Sequence, residues 1–341
     1  MANNIDIKFI AEKSGCSIAT VSRVLNRSKP VSEHLQKKVM DTIKKYNYNP
    51  SVHARYLAGK KSRLLGFIMT NYINQYQLLL FRYLNEFACR LGYGCIIRYC
   101  DSDFEEKLEV LRELEIRGID VCFSLFLLSR EEEKYVKEHF RIKVCHMQSP
   151  EMRLDIMEKN ESAVYNAVYY LSKLGHRRIG GIFCIDEVEE SFLIAREQGF
   201  LRAVKQFGLD PDPELIGRLH GECEKDAVIS TVERIFKPNK MPTALFCYSD
   251  EVAIEVMFWL MKQGYRIPEN ISVLSFDGIP FAERVTPSLS TISQPVEYQA
   301  RCIINGMLYL KDGGRRPHKD TGNEYLLQIR DSVGEPYSPI S

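Results

Sequence analysis

The chain has 341 residues, of which 45% are hydrophobic and 27% charged, the balance of a soluble globular protein with two or three domains. No apolar run of about 18 residues is present, and the N-terminus lacks the apolar core of a signal peptide, so a cytoplasmic protein with no membrane partner is expected. The net charge of +1 hides an asymmetry: residues 1–63 carry 13 Lys and Arg against 4 Asp and Glu, and the remainder carries 33 against 41. A basic head on an acidic body is the electrostatic form of a modular nucleic-acid binder.

In the head, Asp6 is placed to cap a helix through Phe9, Ile10, Ala11 and Lys13, which Gly15 closes with a residue able to take positive φ. Ser17 caps a second helix, with Val21, Val24 and Leu25 on one face and Ile18, Ala19, Ser22, Arg23 and Asn26 on the other. Two helices joined by a tight glycine turn form a helix-turn-helix, although amphipathic helix pairs without a DNA role are common. A third helix follows Ser32 as N-cap, with Leu35, Val39, Ile43 and Tyr46 completing a small core. Lys37, Lys38, Lys44 and Lys45 around it suit phosphate neutralisation without sequence reading. Asn49-Pro50 breaks that helix, and residues 51–59 form a short helical segment expected to order only on DNA, beside its copy from a second subunit.

From Leu64 the pattern changes. Strand-length apolar runs at 64–69, 94–99, 121–127 and 142–147 alternate with helical stretches at about 77–91, 104–117 and 131–138. A second set follows: helices through 163–174, 195–207, 227–235 and 250–263, with strands at 179–184, near 215, at 244–248 and at 272–276. Strands apolar on both faces and alternating with helices predict two doubly wound parallel sheets.

No GxGxxG opens the first βα turn, GxSxG and HExxH are absent, and no histidine pairs with a candidate nucleophile. Ten cysteines are scattered without CxxC or Cys/His ligand spacing, which argues against zinc and against a disulfide framework. An enzyme is therefore the poorer reading, and neither cofactor nor metal is expected.

Several runs are specific enough to carry a family resemblance. In the head these are Ile10-Ala11, Gly15-Cys16-Ser17, Thr20-Val21-Ser22-Arg23-Val24-Leu25-Asn26, Val31-Ser32 and Tyr48-Asn49-Pro50-Ser51-Val52-His53-Ala54-Arg55-Tyr56-Leu57. The body adds Leu174-Gly175-His176-Arg177-Arg178-Ile179, Arg196 with Gly199-Phe200, Ser249-Asp250, Pro268 through Val273 into Phe276-Asp277, Pro287 through Ile292, and Arg330-Asp331-Ser332. Over essentially its whole length the chain resembles the LacI/GalR family of bacterial transcriptional regulators. The resemblance implies an all-α helix-turn-helix head and an α/β body with two lobes like a periplasmic binding protein. The expected division is a head at 1–49, a hinge helix and linker at 50–63, an N-terminal effector lobe at 64–161 plus about 292–323, and a C-terminal effector lobe at 162–291 plus about 324–341.

The implied function is repression of carbohydrate-catabolic genes, with DNA affinity controlled by a sugar or glycoside in the interlobe cleft. The competing readings are a cytoplasmic solute-binding protein and an α/β enzyme without a DNA role. For DNA, the resemblance puts Ile18, Ala19 and Arg23 at base edges, where Arg23 can bond guanine bidentately and the other two offer apolar contact only. Ser17, Thr20, Ser22 and Asn26 suit phosphate contacts, and Arg55, Leu57 and Ala58 belong to the hinge, with Leu57 as the wedge between central base pairs. For the effector, Arg196 and Asp277 suit hydroxyls or a carboxylate, Ser249 follows a strand, and Tyr72, Asn74 and Tyr76 follow the first strand of the body. A structural salt bridge is the alternative for Arg196 and Asp277, and simple packing for the tyrosines. A homodimer on a pseudo-palindromic operator is expected, since one head offers few base contacts and no heptad tail follows Ser332. Three positions depart from the family pattern: Cys122 where glycine is usual, Lys159 before Asn160 where aspartate is common, and Gly278 after Asp277 where a second aspartate is frequent.

Replacing Leu57 with Ala is expected to weaken operator binding while leaving effector binding intact, as read by gel shift and ligand titration. Unchanged operator affinity would remove the wedge.

Overall fold

The computed structural model describes residues 6–26, 30–46, 48, 62–70, 74–100, 103–125, 128–152, 154–185, 192–220, 225–237, 241–313 and 324–337. They fall into two compact units, a head within Met1–Ser62 and a body spanning nearly all of the remainder. No helix among the described residues is long and apolar enough to cross a membrane.

The head holds α1 (Ile7–Ser14), α2 (Ile18–Asn26) and α3 (Glu33–Lys45). Asp6 accepts the Phe9 amide at 2.8 Å, and Gly15 takes φ 60°, so the turn between α1 and α2 uses the left-handed backbone that glycine permits. Ser17 caps α2 by accepting the Thr20 amide at 3.1 Å. Ser32 differs from expectation: it stands at the start of α3 but its side chain makes no capping bond. Ile10, Ala11, Val21, Val24, Val39 and Tyr48 form the buried centre, and Phe9 meets Tyr46 edge to face at 5.1 Å.

The N-terminal lobe of the body runs β1 (Leu64–Thr70), α4 (Gln75–Arg90), β2 (Gly94–Cys100), α5 (Phe104–Ile116), β3 (Val121–Ser124), α6 (Arg130–His139) and β4 (Lys143–Cys145). Its four strands are parallel in the order β2-β1-β3-β4. Leu65, Phe67, Val121 and Phe123 pack to one side of the sheet with Leu80 and Leu84, while Ile68 and Cys122 pack to the other with Leu108 and Leu111. Helices on both faces explain why β1 reads as an unbroken apolar run. Cys122 pairs in register with Gly66, where an added Cβ would meet the Cys122 Cβ at 2.9 Å. The glycine on β1 makes the room that the departure on β3 needs.

The C-terminal lobe contains α7 (Ile156–Lys173), β5 (Ile179–Ile185), α8 (Phe192–Gln206), β6 (Ile216–His220), α9 (Lys225–Ile235), β7 (Ala244–Cys247), α10 (Asp250–Lys262), β8 (Ser272–Asp277) and β9 (Ser290–Ser293). After β9 the chain crosses back as α11 (Val296–Asp312), whose Ala300, Ile303, Ile304 and Met307 join the N-terminal lobe's core, and β10 (Leu326–Gln328) returns to the C-terminal sheet. That sheet has the order β10-β9-β8-β7-β5-β6. It is not wholly parallel, because β10 runs antiparallel to β9 at the edge. A short strand that arrives from the other lobe has no crossover helix to make it parallel.

Helices α7 and α8 cross at Gly199, where a Cβ would stand 2.2 Å from the Glu161 carbonyl oxygen. Gly199→Ala must therefore push the two helices apart, and is expected to cost about 1–3 kcal/mol. Urea unfolding of the whole chain measures it, and a midpoint equal to that of the parent would contradict the close crossing.

Candidate functional site

On the head, Ser17 before α2 and Ile18, Ala19 and Arg23 on it are exposed, and Thr20 and Ser22 on it are half-buried; Asn26 ends the helix. Ile18 keeps 46% of its surface open, high for a large aliphatic side chain on a helix whose Val21 and Val24 are buried. Ser17 and Thr20 share a hydroxyl contact at 2.9 Å that holds both at the start of the helix. Lys37, Lys38, Lys44 and Lys45 are exposed on α3. The hinge residues Arg55, Leu57 and Ala58 lie outside the described residues, as does Tyr72 of the body.

In the body, Arg196 and Asp277 come together. Arg196 extends from α8, Asp277 ends β8, and the Arg196 Nη1 stands 3.5 Å from the Asp277 Oδ1 with both side chains buried. Arg196 also donates from Nε to the Asn160 Oδ1 at 2.8 Å and from Nη1 to the Tyr248 carbonyl at 2.5 Å. Its guanidinium lies over the Phe276 ring at 3.8 Å, with Phe192 at 5.7 Å. Tyr248 and Ser249 follow β7, next to β5 at the place where the strand order reverses, the usual position of a ligand crevice in an open α/β sheet.

The remaining predicted residues take different places. Ser249 caps α10, accepting the Val252 amide, and Asn74 caps α4, accepting the Gln77 amide at 2.8 Å. Both side-chain oxygens thus already serve a helix N-terminus. Tyr76 packs against the cores of both lobes and donates its hydroxyl to the Gln299 Oε1 at 2.9 Å. Beside it, the Gln75 amide donates to the Glu251 carboxylate of the other lobe at 2.8 Å.

Gln294, Gln299 and Tyr325, around the pair, carry no sequence signal of their own. Gln294 donates to the Asp277 Oδ1 at 2.8 Å, while Gln299, Tyr325 and Asn160 continue the polar chain away from it. Asp250, fully buried, accepts from Ser275 and Thr291 hydroxyls at 2.5 Å each and from the Ile279 amide at 2.8 Å. It thereby fixes the turn that sets Asp277, a non-glycine residue at φ 130°. Gly278 has φ 74°, and a Cβ on it would meet Ser293 at 2.5 Å, which is why a second aspartate has no room there. Lys159, the other departure, is half-buried on α7 next to Asn160.

Two regions of the chain match family models: residues 6–51 match bacterial regulatory proteins of the lacI family, and residues 168–333 match a periplasmic binding protein-like domain. The chain is similar to the HTH-type transcriptional repressor PurR of Vibrio cholerae serotype O1 (strain M66-2), 32% identical over 85% of this chain and 86% of that protein. The Haemophilus influenzae repressor of the same name is 29% identical over 95% and 94%. Among solved structures, the lac repressor dimer bound to operator and the anti-inducer ONPF shares the fold with a TM-score of 0.78 at 21% identity, over 96% of this chain and 98% of that one. The complex of transcriptional regulator CelR with cellobiose has a TM-score of 0.67 at 19% identity, over 96% and 99%.

Burial pushes the Asp277 carboxyl from its ordinary 3.8 up to about 7 against the pull of Arg196, and pushes Asp250 up to about 6 against its hydrogen bonds. The folded chain then holds protons that the unfolded chain has already released, so the contribution of these groups to stability is complete below about pH 4 and is lost as pH rises to about 7. Thermal unfolding at a series of pH values from 5 to 8 is expected to show a shallower decline for Asp277→Asn than for the parent. Parallel curves would contradict a raised Asp277.

Proposed function

This chain belongs to the LacI family of bacterial regulatory proteins, and from that premise we propose that it represses carbohydrate-catabolic genes as a cytoplasmic homodimer whose DNA affinity is set by a sugar or glycoside in the body's cleft. It is a DNA-binding transcriptional regulator with a ligand-binding body and not an enzyme. The proposed division is a reading head at 1–49, a hinge at 50–63 and two effector lobes, 64–161 with about 292–323 and 162–291 with about 324–341.

On the head, exposed Ile18, Ala19 and Arg23 face base edges, Ser17, Thr20, Ser22 and Asn26 face phosphates, and Arg55, Leu57 and Ala58 act at the minor groove. Apolar Ile18 and Ala19 supply little polar readout. Specificity then leans on Arg23, the Leu57 wedge and the spacing of two heads. A second copy is supported by large apolar side chains left exposed on the C-terminal lobe, Phe258 and Met261 one turn apart on α10 and Phe281 after β8.

The effector reading is carried by the Arg196–Asp277 pair. Among the described residues the Arg196 Nη2 and the Asp277 Oδ2 have no partner, a donor and an acceptor side by side. Vicinal hydroxyls complement such a pair, one accepting and one donating. Tyr72 and Tyr76 from the other lobe stack on or bond the same ligand, with Asn74 and Ser249 placing the helix ends that face it. Two aromatic rings beside Arg196 favour a second reading, a flat heterocycle presenting a carbonyl next to an N–H.

A gel-shift titration on a pseudo-palindromic site with a central CG step, repeated at several salt concentrations, is expected to give specific binding that weakens steeply with salt. Binding that is absent or insensitive to salt would overturn the repressor reading. A thermal-shift screen of sugars, sugar phosphates, glycosides and purine bases then decides between the two effector classes. Stabilisation by purine bases alone would replace the carbohydrate.

A further inference from the structure

The chain passes between the two lobes three times, and each passage places one polar side chain, buried in two cases and half-buried in the third, in the same spot. In α7, Ile156 packs in the N-terminal lobe's core and Val164 in the C-terminal lobe's core, and Asn160 lies between them. Between β9 of one lobe and α11 of the other stands Gln294. On the return, Tyr325 directly precedes β10.

Together with Gln299, these three residues close a ring with the candidate effector pair. Starting from Asp277, the Gln294 Nε2 donates to its Oδ1 at 2.8 Å, and the Gln294 Oε1 accepts from the Gln299 Nε2 at 3.1 Å. The same Gln299 nitrogen reaches the Tyr325 hydroxyl at 3.1 Å, which also accepts from the Asn160 Nδ2 at 3.3 Å. The Asn160 Oδ1 takes the Arg196 Nε at 2.8 Å, and Arg196 returns to Asp277 at 3.5 Å. Asn160, Arg196, Asp277, Gln294 and Gln299 are all buried, and Gln299, on α11, ties the N-terminal lobe into the ring.

We propose that Asn160, Gln294, Gln299 and Tyr325 are positioning residues that join Arg196 and Asp277 to all three interlobe passages, so that occupancy of the pair resets the hinge as one unit. The ring's polarity supports this. Asp277 and the Tyr325 oxygen each accept from two members, Arg196 and Gln299 each donate to two, and Asn160 and Gln294 between them both accept and donate. A ligand that draws Arg196 or Asp277 out of line removes a partner from Asn160 or Gln294, and a buried amide left without its partner forces its neighbours to shift. Tyr76, bonded to Gln299, carries the shift to the first turn of α4. The inference takes from the proposed function only that Arg196 and Asp277 are the ligand-contacting pair. The ring itself is tested without a ligand.

Hydrogen–deuterium exchange of the full chain reads the three passages separately. Tyr325→Phe keeps the aromatic ring and removes the oxygen that Gln299 and Asn160 share. Gln294→Met keeps length and removes both amide bonds. For either variant, exchange is expected to rise about tenfold at all three passages, near 156–162, 293–298 and 324–328, including the passage that the altered residue does not touch. Should one variant fail to fold, the other carries the same reading. A rise confined to the altered residue and its direct partners overturns the ring as a unit, and does so whatever the effector screen finds.

Discussion

Burying two charges of opposite sign against each other is the constraint around which the body is built. Taking a guanidinium and a carboxylate out of water costs several kcal/mol each, and their attraction offsets that only if every remaining donor and acceptor is met. Arg196 and Asp277 meet most of the condition through neighbours drawn from both lobes, a backbone carbonyl after β7, an amide on α7 and another on the passage into α11, and among the described residues only the Arg196 Nη2 and the Asp277 Oδ2 are left for a ligand to meet. The pair therefore cannot be changed locally. Any group that competes for it acts on residues that also decide how the lobes meet.

The same logic explains the otherwise costly features beside it. A second buried carboxylate, Asp250, would repel the first, yet its two hydroxyl and backbone donors make it the anchor of the turn that presents Asp277. Asp277 at φ 130° and Gly278 at φ 74° are backbone conformations that a free turn would avoid, and Asp250 together with Thr291 holds them in place. Strain and like charge are concentrated at one strand end. That is the pattern of a site kept for binding, where local stability is given up for a fixed arrangement of donors and acceptors.

Much of the fold was legible because its signals are local. The apolar runs of β1, β3, β5 and β7 follow from burial on both sheet faces, and the Asp6 cap, the Gly15 turn and the Val21, Val24 spacing follow from geometry within a few residues. Helix α11 was not read, since polar Gln299 and Lys311 are buried among its apolar positions and blur the amphipathic period; Lys311 reaches Asp120 at 2.5 Å instead of solvent. Strands β9 and β10 are four and three residues long and too short to carry a pattern. Arg196 and Asp277 were visible through a family motif. Gln294, Gln299 and Tyr325 are uncharged or weakly titrating, far apart in sequence, and meet only because three passages converge, so no spacing rule could have named them. Conversely, Asn74 and Ser249 looked like ligand groups because cap residues and ligand residues are the same chemical types at the same strand ends.

The most direct test of this account is a double-mutant cycle on the buried pair, with Arg196→Met, Asp277→Leu and the combination compared by urea unfolding. If the pair is the organising constraint, then at pH 8, where Asp277 is ionised beside Arg196, each single change leaves its partner uncompensated in a dry site and costs about 3–5 kcal/mol, while the double change costs clearly less than the sum because neither group is left alone. Strictly additive losses would mean that Arg196 and Asp277 are independent, and would contradict the account at its centre.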